Sequence, residues 1–279
     1  MVEFAEANDI SETEMMSFDV TALFTNVPLD LTLDFISRKI DENLITIPIP
    51  KEAFLNLIRL CTENNVFQFE GDYYRQRFGV AMGSPLSPVL ANIFMEMFET
   101  ELLTSLTGRP LLWVRYVDDI FAVCPNDSDS NLFLSQLNNL VDSIKFTVEK
   151  EQESSLPFLD TTVHRRNGSF RFAVYRKPTH SGQYLHYFSW HEKGIKRSVV
   201  FSLLLRAYRI CDPEFLQQEI CTIFKLFHKL AYPKYFLEKI DSDVRRSYYG
   251  ETREGQLLSV SPPFLYHIQN LAGELFDQS

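Results

Sequence analysis

Cysteine is scarce. The 279 residues hold four, Cys61, Cys124, Cys211 and Cys221, scattered without a Cys-x-x-Cys pair. That spacing signals neither a zinc site nor a disulfide framework, so the fold has to be held by its apolar core. No apolar run approaches the roughly 20 residues that a membrane-spanning helix requires, and no segment has the form of a signal peptide. A soluble intracellular protein with no membrane partner is the expectation. Internal repeats and low-complexity tracts are also lacking. What is plentiful is apolar side chain, with 45% hydrophobic and 14% aromatic residues, including 24 Phe and 12 Tyr. A disordered chain does not carry so much surface that must be hidden from water, and this length can bury a large core.

Positive charge is scarce in the first part of the chain. Residues 1 to 163 hold 10 Lys and Arg against 26 Asp and Glu, whereas residues 164 to 253 hold 17 against 8. The overall charge of −10 hides this division. An acidic body followed by a basic, aromatic segment suits a metal-using site next to a phosphate-binding surface. A merely solvated basic face remains the alternative. Arg176, Lys177, Lys196, Arg197 and Arg206 are the candidate nucleic-acid contacts in that segment.

The carboxylates concentrate attention on Trp113 to Val123, where Asp118 and Asp119 interrupt two runs of aromatic and β-branched residues. Such flanks favour strands and Asp tolerates turns, so the stretch reads as a β-hairpin with acid at its tip. Adjacent carboxylates repel, and a divalent cation neutralises them. Hard oxygen ligands of this kind suit Mg²⁺. An ordinary Asp-rich turn is the plain alternative.

Met1 to Glu14 is acidic and aperiodic and reads as a fraying lead-in. Met15 to Val20 reads as a short strand with Asp19 at its end. Apolar residues at helical spacing then predict helices through Leu29, Leu33, Ile36 and Ile40 and through Phe54, Leu57, Ile58 and Cys61. Val66 to Arg75 reads as a hairpin turning at Gly71-Asp72. In the following Gly79 to Pro88, Gly79 and Gly83 would allow a ligand close to the backbone, and Ser84 or Ser87 can cap a helix running from about Pro88 to Leu103. A helix over Leu132 to Val141 and a strand over Ile144 to Val148 follow. Leu156 to Val163 and Phe170 to Tyr175 form a hairpin about Asn167-Gly168. Two helices come next, lined by Val199 to Tyr208 and by Phe215 to Phe227. Tyr248 to Pro263 reads as a loop and Phe264 to Phe276 as a last helix.

Three separated stretches resemble reverse transcriptases, most closely those of Penelope-like retroelements. Ser17 to Pro28 resembles the first catalytic motif of that family. Met82 to Pro88 with Ala91-Asn92 resembles the second, and Tyr116-Val117-Asp118-Asp119 the third. Phe158-Leu159-Asp160, Tyr175 to Thr179, Lys196 and Leu204 to Ala207 look like the continuation past the palm. The resemblance implies an α+β fold. A right-hand polymerase palm, an antiparallel sheet with helices on one face, spans residues 15 to 163, and a mainly helical thumb-like region spans 164 to 279. It implies an RNA-directed DNA polymerase acting on an RNA template, a DNA primer and dNTPs, in the nucleus. The catalytic residues would be Asp19, Asp118 and Asp119, which with Val20 would hold two Mg²⁺ ions. Phe24 would stand under the sugar and refuse a 2′-hydroxyl, and Gly83, Ser84, Pro85 and Tyr116 would line the nucleotide site. Such proteins carry a fingers region first and a GIY-YIG endonuclease last. With 18 residues ahead of Asp19, a partial reading frame is the expectation. An RNA-dependent RNA polymerase, or a palm repurposed to bind nucleic acid, are the competing readings.

Overall fold

The structure, a computed structural model, describes residues 1–251 other than 2, 3, 6, 7, 9, 127 and 128. It is α+β with antiparallel hairpins. The chain divides into two compact units, Met16–Glu149 and a second one that joins Met1–Met15 to the chain from Lys150 onward.

The first unit is organised on a four-stranded sheet of order β4-β5-β1-β6. Its strands are β1 (Thr13–Val20), β4 (Leu112–Tyr116), β5 (Asp119–Pro125) and β6 (Phe146–Lys150). β1 alternates in burial, with Met16, Phe18 and Val20 inward, because successive side chains of a strand face opposite ways. β5 is buried from Ile120 through Cys124 on both faces. Against these pack α1 (Leu23–Asn26), α2 (Leu29–Asp41), α3 (Lys51–Glu63), α4 (Leu86–Met97) and α5 (Ser130–Leu140). α2 buries Leu33 and Ile36 as its spacing predicts. α3 buries Ile58 but leaves Leu57 and Cys61 outside, so its apolar stripe is narrower than the sequence suggests. α4 starts at Leu86, two residues before Pro88, and passes into a π-helical turn, Phe98–Leu102, and a 3₁₀ turn, Leu103–Ser105. Proline at helix position three costs nothing there, because the first-turn N–H groups have no intrahelical acceptor. α5 is capped by Asp129, whose carboxylate accepts from the N–H groups of Asn131 and Leu132 at 3.0 and 3.1 Å.

A second hairpin, β2 (Val66–Phe69) and β3 (Asp72–Arg75), turns at Glu70-Gly71 rather than Gly71-Asp72, and both residues have positive φ, 50° and 94°. That is the backbone a two-residue turn needs to follow strand twist.

The other unit holds a three-stranded sheet of order β7-β8-β9. Here the single strand expected from Leu156 to Val163 is two, β7 (Ser155–Phe158) and β8 (Thr161–Arg166), reversed at Leu159 with φ 53°. β9 (Ser169–Val174) follows the Asn167-Gly168 turn as expected. Helices α6 (Lys193–Ile210), α7 (Pro213–Lys229) and α8 (Lys234–Glu251) enclose a separate core of Val200, Leu204, Ile223, Phe227, Leu237, Ile240 and Val244. α8 overturns part of the sequence expectation: residues 248–251, read as loop, continue this helix. The rest of that loop and the expected helix over Phe264 to Phe276 lie outside the described residues. Nor does the lead-in fray throughout. Ile10 is fully buried, its carbonyl accepts from Arg165, and the Met15 N–H donates to Glu151 at 3.0 Å.

Candidate active site

The third motif forms a hairpin in the four-stranded sheet. Leu112 pairs with Val123 and Tyr116 with Asp119, which leaves only Val117 and Asp118 in the turn. Val117 adopts φ 56°. A β-branched residue in the left-handed region is sterically unfavourable, of the order of 1–2 kcal/mol, and persists only where surroundings enforce it. The sequence gives no sign of this strain, because Val is otherwise a good strand residue.

β1 lies beside that turn. The Val20 N–H donates to the Asp118 carbonyl at 3.1 Å, and the Thr21 N–H donates to the Lys145 carbonyl at 2.8 Å. The end of β1 is thus fixed between β5 and β6, and Asp19 is brought to the turn that carries Asp118. Asp19 is exposed. Its carboxyl is held above the usual carboxylate range, first by desolvation and second by repulsion from Asp118. Asp118 and Asp119 are half-buried, and Tyr116 lies opposite Asp119 at the end of β4.

After β1 the chain turns through Ala22, with φ 50°, into α1. Phe24 is half-buried there against the core, and its carbonyl accepts from the Val80 N–H at 2.7 Å. This pairing corrects the role expected of Gly79. A Cβ on Gly79, at φ +67°, would lie 2.3 Å from the Thr25 carbonyl carbon and 2.5 Å from the Phe24 oxygen. Its missing side chain therefore makes room for the chain's own backbone, not for a ligand. Gly83, at φ +97°, faces open space. The Ser84 N–H donates to the Ala81 carbonyl at 3.3 Å, and its hydroxyl accepts only distantly, at 3.4 Å, from Leu86. Ser87 is buried and donates to the Ala81 carbonyl at 2.6 Å, so it braces the loop instead of capping the helix. Pro85 opens the helix with φ −61° and ψ −23°.

The five basic candidates all lie in the other unit, and most are engaged within it. Arg176 pairs with Glu219 through both guanidinium nitrogens. Lys196 is buried, and its ammonium donates to the Ser189 carbonyl at 2.6 Å. Lys196 is thus engaged by an internal acceptor from a buried position, whereas Arg176 keeps 28% of its side chain exposed beside its pair. Arg197 pairs with Asp243 and Arg206 with Asp160, each at 3.0 Å and partly exposed. Lys177 is exposed.

A carboxylate at one strand end is set against an antiparallel hairpin that carries Asp118 in its turn and Asp119 at the start of its second strand, and a mainly helical unit follows in the chain. The chain belongs to the reverse transcriptase (RNA-dependent DNA polymerase) family, whose sequence model matches residues 3–156. An animal helix-turn-helix domain model matches residues 183–241, over α6, α7 and the start of α8. No curated protein matches. Among solved structures, telomerase from Candida albicans, in complex with a fragment of telomeric RNA, superposes with a TM-score of 0.56 at 14% identity, over 99% of this chain and 50% of that one. The Sicinivirus 3Dpol RNA-dependent RNA polymerase gives 0.54 at 14% identity, over 88% and 54%. The RNA-dependent RNA polymerase of a human picobirnavirus gives 0.53 at 12%, over 98% and 53%. These likenesses are of fold, and the chain spans about half the length of each of these proteins. Among the described residues no helix is long and apolar enough to cross a membrane.

Proposed function

We propose that the chain is the palm and thumb-like part of an RNA-directed DNA polymerase of a Penelope-like retroelement, with the palm over residues 15 to 163 and the thumb-like region from 164. The observation that carries this reading is the bond from Val20 N–H to the Asp118 carbonyl at 3.1 Å, which joins the strand bearing Asp19 to the turn bearing Asp118. The oxygen donors that these two segments carry suit Mg²⁺ in kind. Asp19, Asp118 and Asp119 would supply carboxylates and Val20 a carbonyl; desolvation first and the charge of Asp118 second hold the Asp19 carboxyl above its usual range, and a bound cation would counter both. Among the described residues no three His, Cys, Asp or Glu side chains converge as they stand on one ion position. Mg²⁺ sites in polymerases take one or two protein carboxylates and complete the shell with substrate phosphates and water, so a cage made by the protein alone is not required. When bound, a pair of such ions supplies activation of a primer 3′-hydroxyl and charge neutralisation of the triphosphate.

The protein's own residues hold and select. Gly83, left-handed and open on its free side, with Ser84 and Pro85 shapes the approach to α4 where a nucleotide would rest, and Tyr116 closes the end of β4. Phe24 would exclude a 2′-hydroxyl and so favour dNTPs. An RNA template paired to a DNA primer would be gripped through backbone shape by the downstream basic unit. The test is primer extension on an RNA template by the protein and by Asp118→Asn, with circular dichroism to compare folding. Loss of extension by at least a hundredfold with the fold intact is expected. A repurposed palm predicts no extension by either protein, and an RNA-dependent RNA polymerase predicts extension with NTPs in preference to dNTPs.

A further inference from the structure

Arg115 stands at the centre of a side-chain network in the first unit that joins Glu99, Trp113 and Asn92. Its Nε and Nη2 donate to the two oxygens of Glu99 at 2.7 and 3.0 Å, and the Trp113 indole N–H adds a third donor to Glu99 at 3.0 Å. Its remaining nitrogen, Nη1, donates to the Asn92 side-chain oxygen at 3.1 Å and to the Val117 carbonyl at 3.3 Å. The pair is well covered, with side-chain exposures of 11% for Arg115 and 23% for Glu99. Glu99 reaches it from the π-helical turn after α4, the kind of local widening that accumulates at functional sites.

The Val117 carbonyl belongs to the peptide that enters Asp118, and the Asp118 carbonyl to the peptide that leaves it. The first is held by Arg115 and the second by the Val20 N–H at 3.1 Å. Both peptide planes that set the backbone of Asp118 are therefore fixed from outside the turn, at the place where Val117 carries an unfavourable φ of 56°. A hairpin needs only its strand ladder to form. A charged fork spent on the carbonyl of a strained turn residue makes sense when the following side chain must be held in one place.

We propose that Arg115, held by Glu99, is a positioning residue that locks the Val117-Asp118 turn so that Asp118 and Asp19 can share a divalent cation. This rests on the polymerase reading above. Lys at 115 would keep the charge and one contact with Glu99, but a single ammonium cannot reach Glu99, Asn92 and the Val117 carbonyl in the fixed geometry of a guanidinium.

The experiment measures Mn²⁺ binding to the full chain, without nucleic acid, from the electron paramagnetic resonance signal of the free ion. Arg115→Lys should weaken binding about tenfold, the size of effect that follows loss of an outer-shell partner. Glu99→Gln, which keeps a contact for Trp113 but loosens Arg115, should fall between the two. Ile36→Val, a core change away from the turn, is the control for lost stability, with thermal midpoints measured for all. It should lower the midpoint and leave Mn²⁺ binding unchanged. Parent-like binding in Arg115→Lys, or equal weakening in Ile36→Val, overturns the positioning role. Binding by the parent that is no stronger than by Asp19→Asn overturns the metal reading itself, and this inference with it.

Discussion

Replacing Gly79 by Ala tests how tightly the first two motifs are packed together. Two costs apply. An L-residue at φ +67° is strained by about 1–2 kcal/mol. The new Cβ would also sit 2.3 Å from the Thr25 carbonyl carbon and oxygen, and those neighbours are backbone atoms that cannot rotate away. Overpacking of that kind adds about 1–3 kcal/mol. The expected loss is therefore about 3 kcal/mol, a large share of the ~5–15 kcal/mol that a folded domain has to lose. Gly83→Ala is the internal control. It meets the same left-handed backbone, φ +97°, with nothing within 4 Å of the added methyl, and should cost only about 1–2 kcal/mol. Urea unfolding of both variants measures the difference, provided the slopes agree with the parent. Faster hydrogen exchange at the Val80 amide, whose 2.7 Å bond to the Phe24 carbonyl crosses the same contact, should accompany the loss in Gly79→Ala alone. Equal destabilisation by the two substitutions would refute the close approach and return Gly79 to a ligand-facing role.

Phe24→Ala should raise incorporation of NTPs relative to dNTPs in primer extension, and unchanged discrimination would mean that the ring serves only the core it touches. Leu237→Ala should cost about 2–5 kcal/mol in urea unfolding, because this fully buried side chain anchors α8 to the second core; a loss below 1 kcal/mol would show that α8 does not pack there. His164 sits under Phe215 with its Nδ1 2.7 Å from the Ser155 hydroxyl, and desolvation first, then the charge of Arg166, holds it below its usual 6.5. The unfolded chain therefore takes up a proton that the folded chain resists, and stability falls as pH drops through the usual value toward the depressed one. The thermal midpoint of the parent should fall further than that of His164→Gln between about pH 7.5 and about pH 5.5, and parallel falls would refute the assignment.

Local chemistry was enough to place several parts of this protein. The aromatic and β-branched runs on either side of Asp118 specified a hairpin, Asn167-Gly168 specified a turn, and the spacing of Leu33 and Ile36 specified the buried face of α2, because strand propensity, left-handed turns and helical period act over a few residues. The three aspartates stood out as candidates for the same reason, each lying in a short stretch of distinctive composition. Other features were hidden. Leu159 in a left-handed turn splits what looked like one strand, and nothing in Leu-Asp announces a reversal. The apolar residues of α8 had helical spacing, yet its many charged neighbours masked the stripe until the partner helices supplied a core. Charge alone also does not say which of the basic residues are held internally. Lys196 and Arg176 count as cations in sequence, but whether a cation faces solvent or an internal acceptor depends on residues such as Ser189 and Glu219. The same holds for Gly79 and Arg115, whose parts depend on the Thr25 backbone and the Val117 carbonyl. Sequence by itself determined most of the elements and singled out the candidate acids, since these readings rest on short-range sterics and side-chain type. Only the tertiary structure decided which strand end meets which turn, which glycine is crowded and which charges are already neutralised, because those are contacts between segments whose meeting is set by the burial of the whole core.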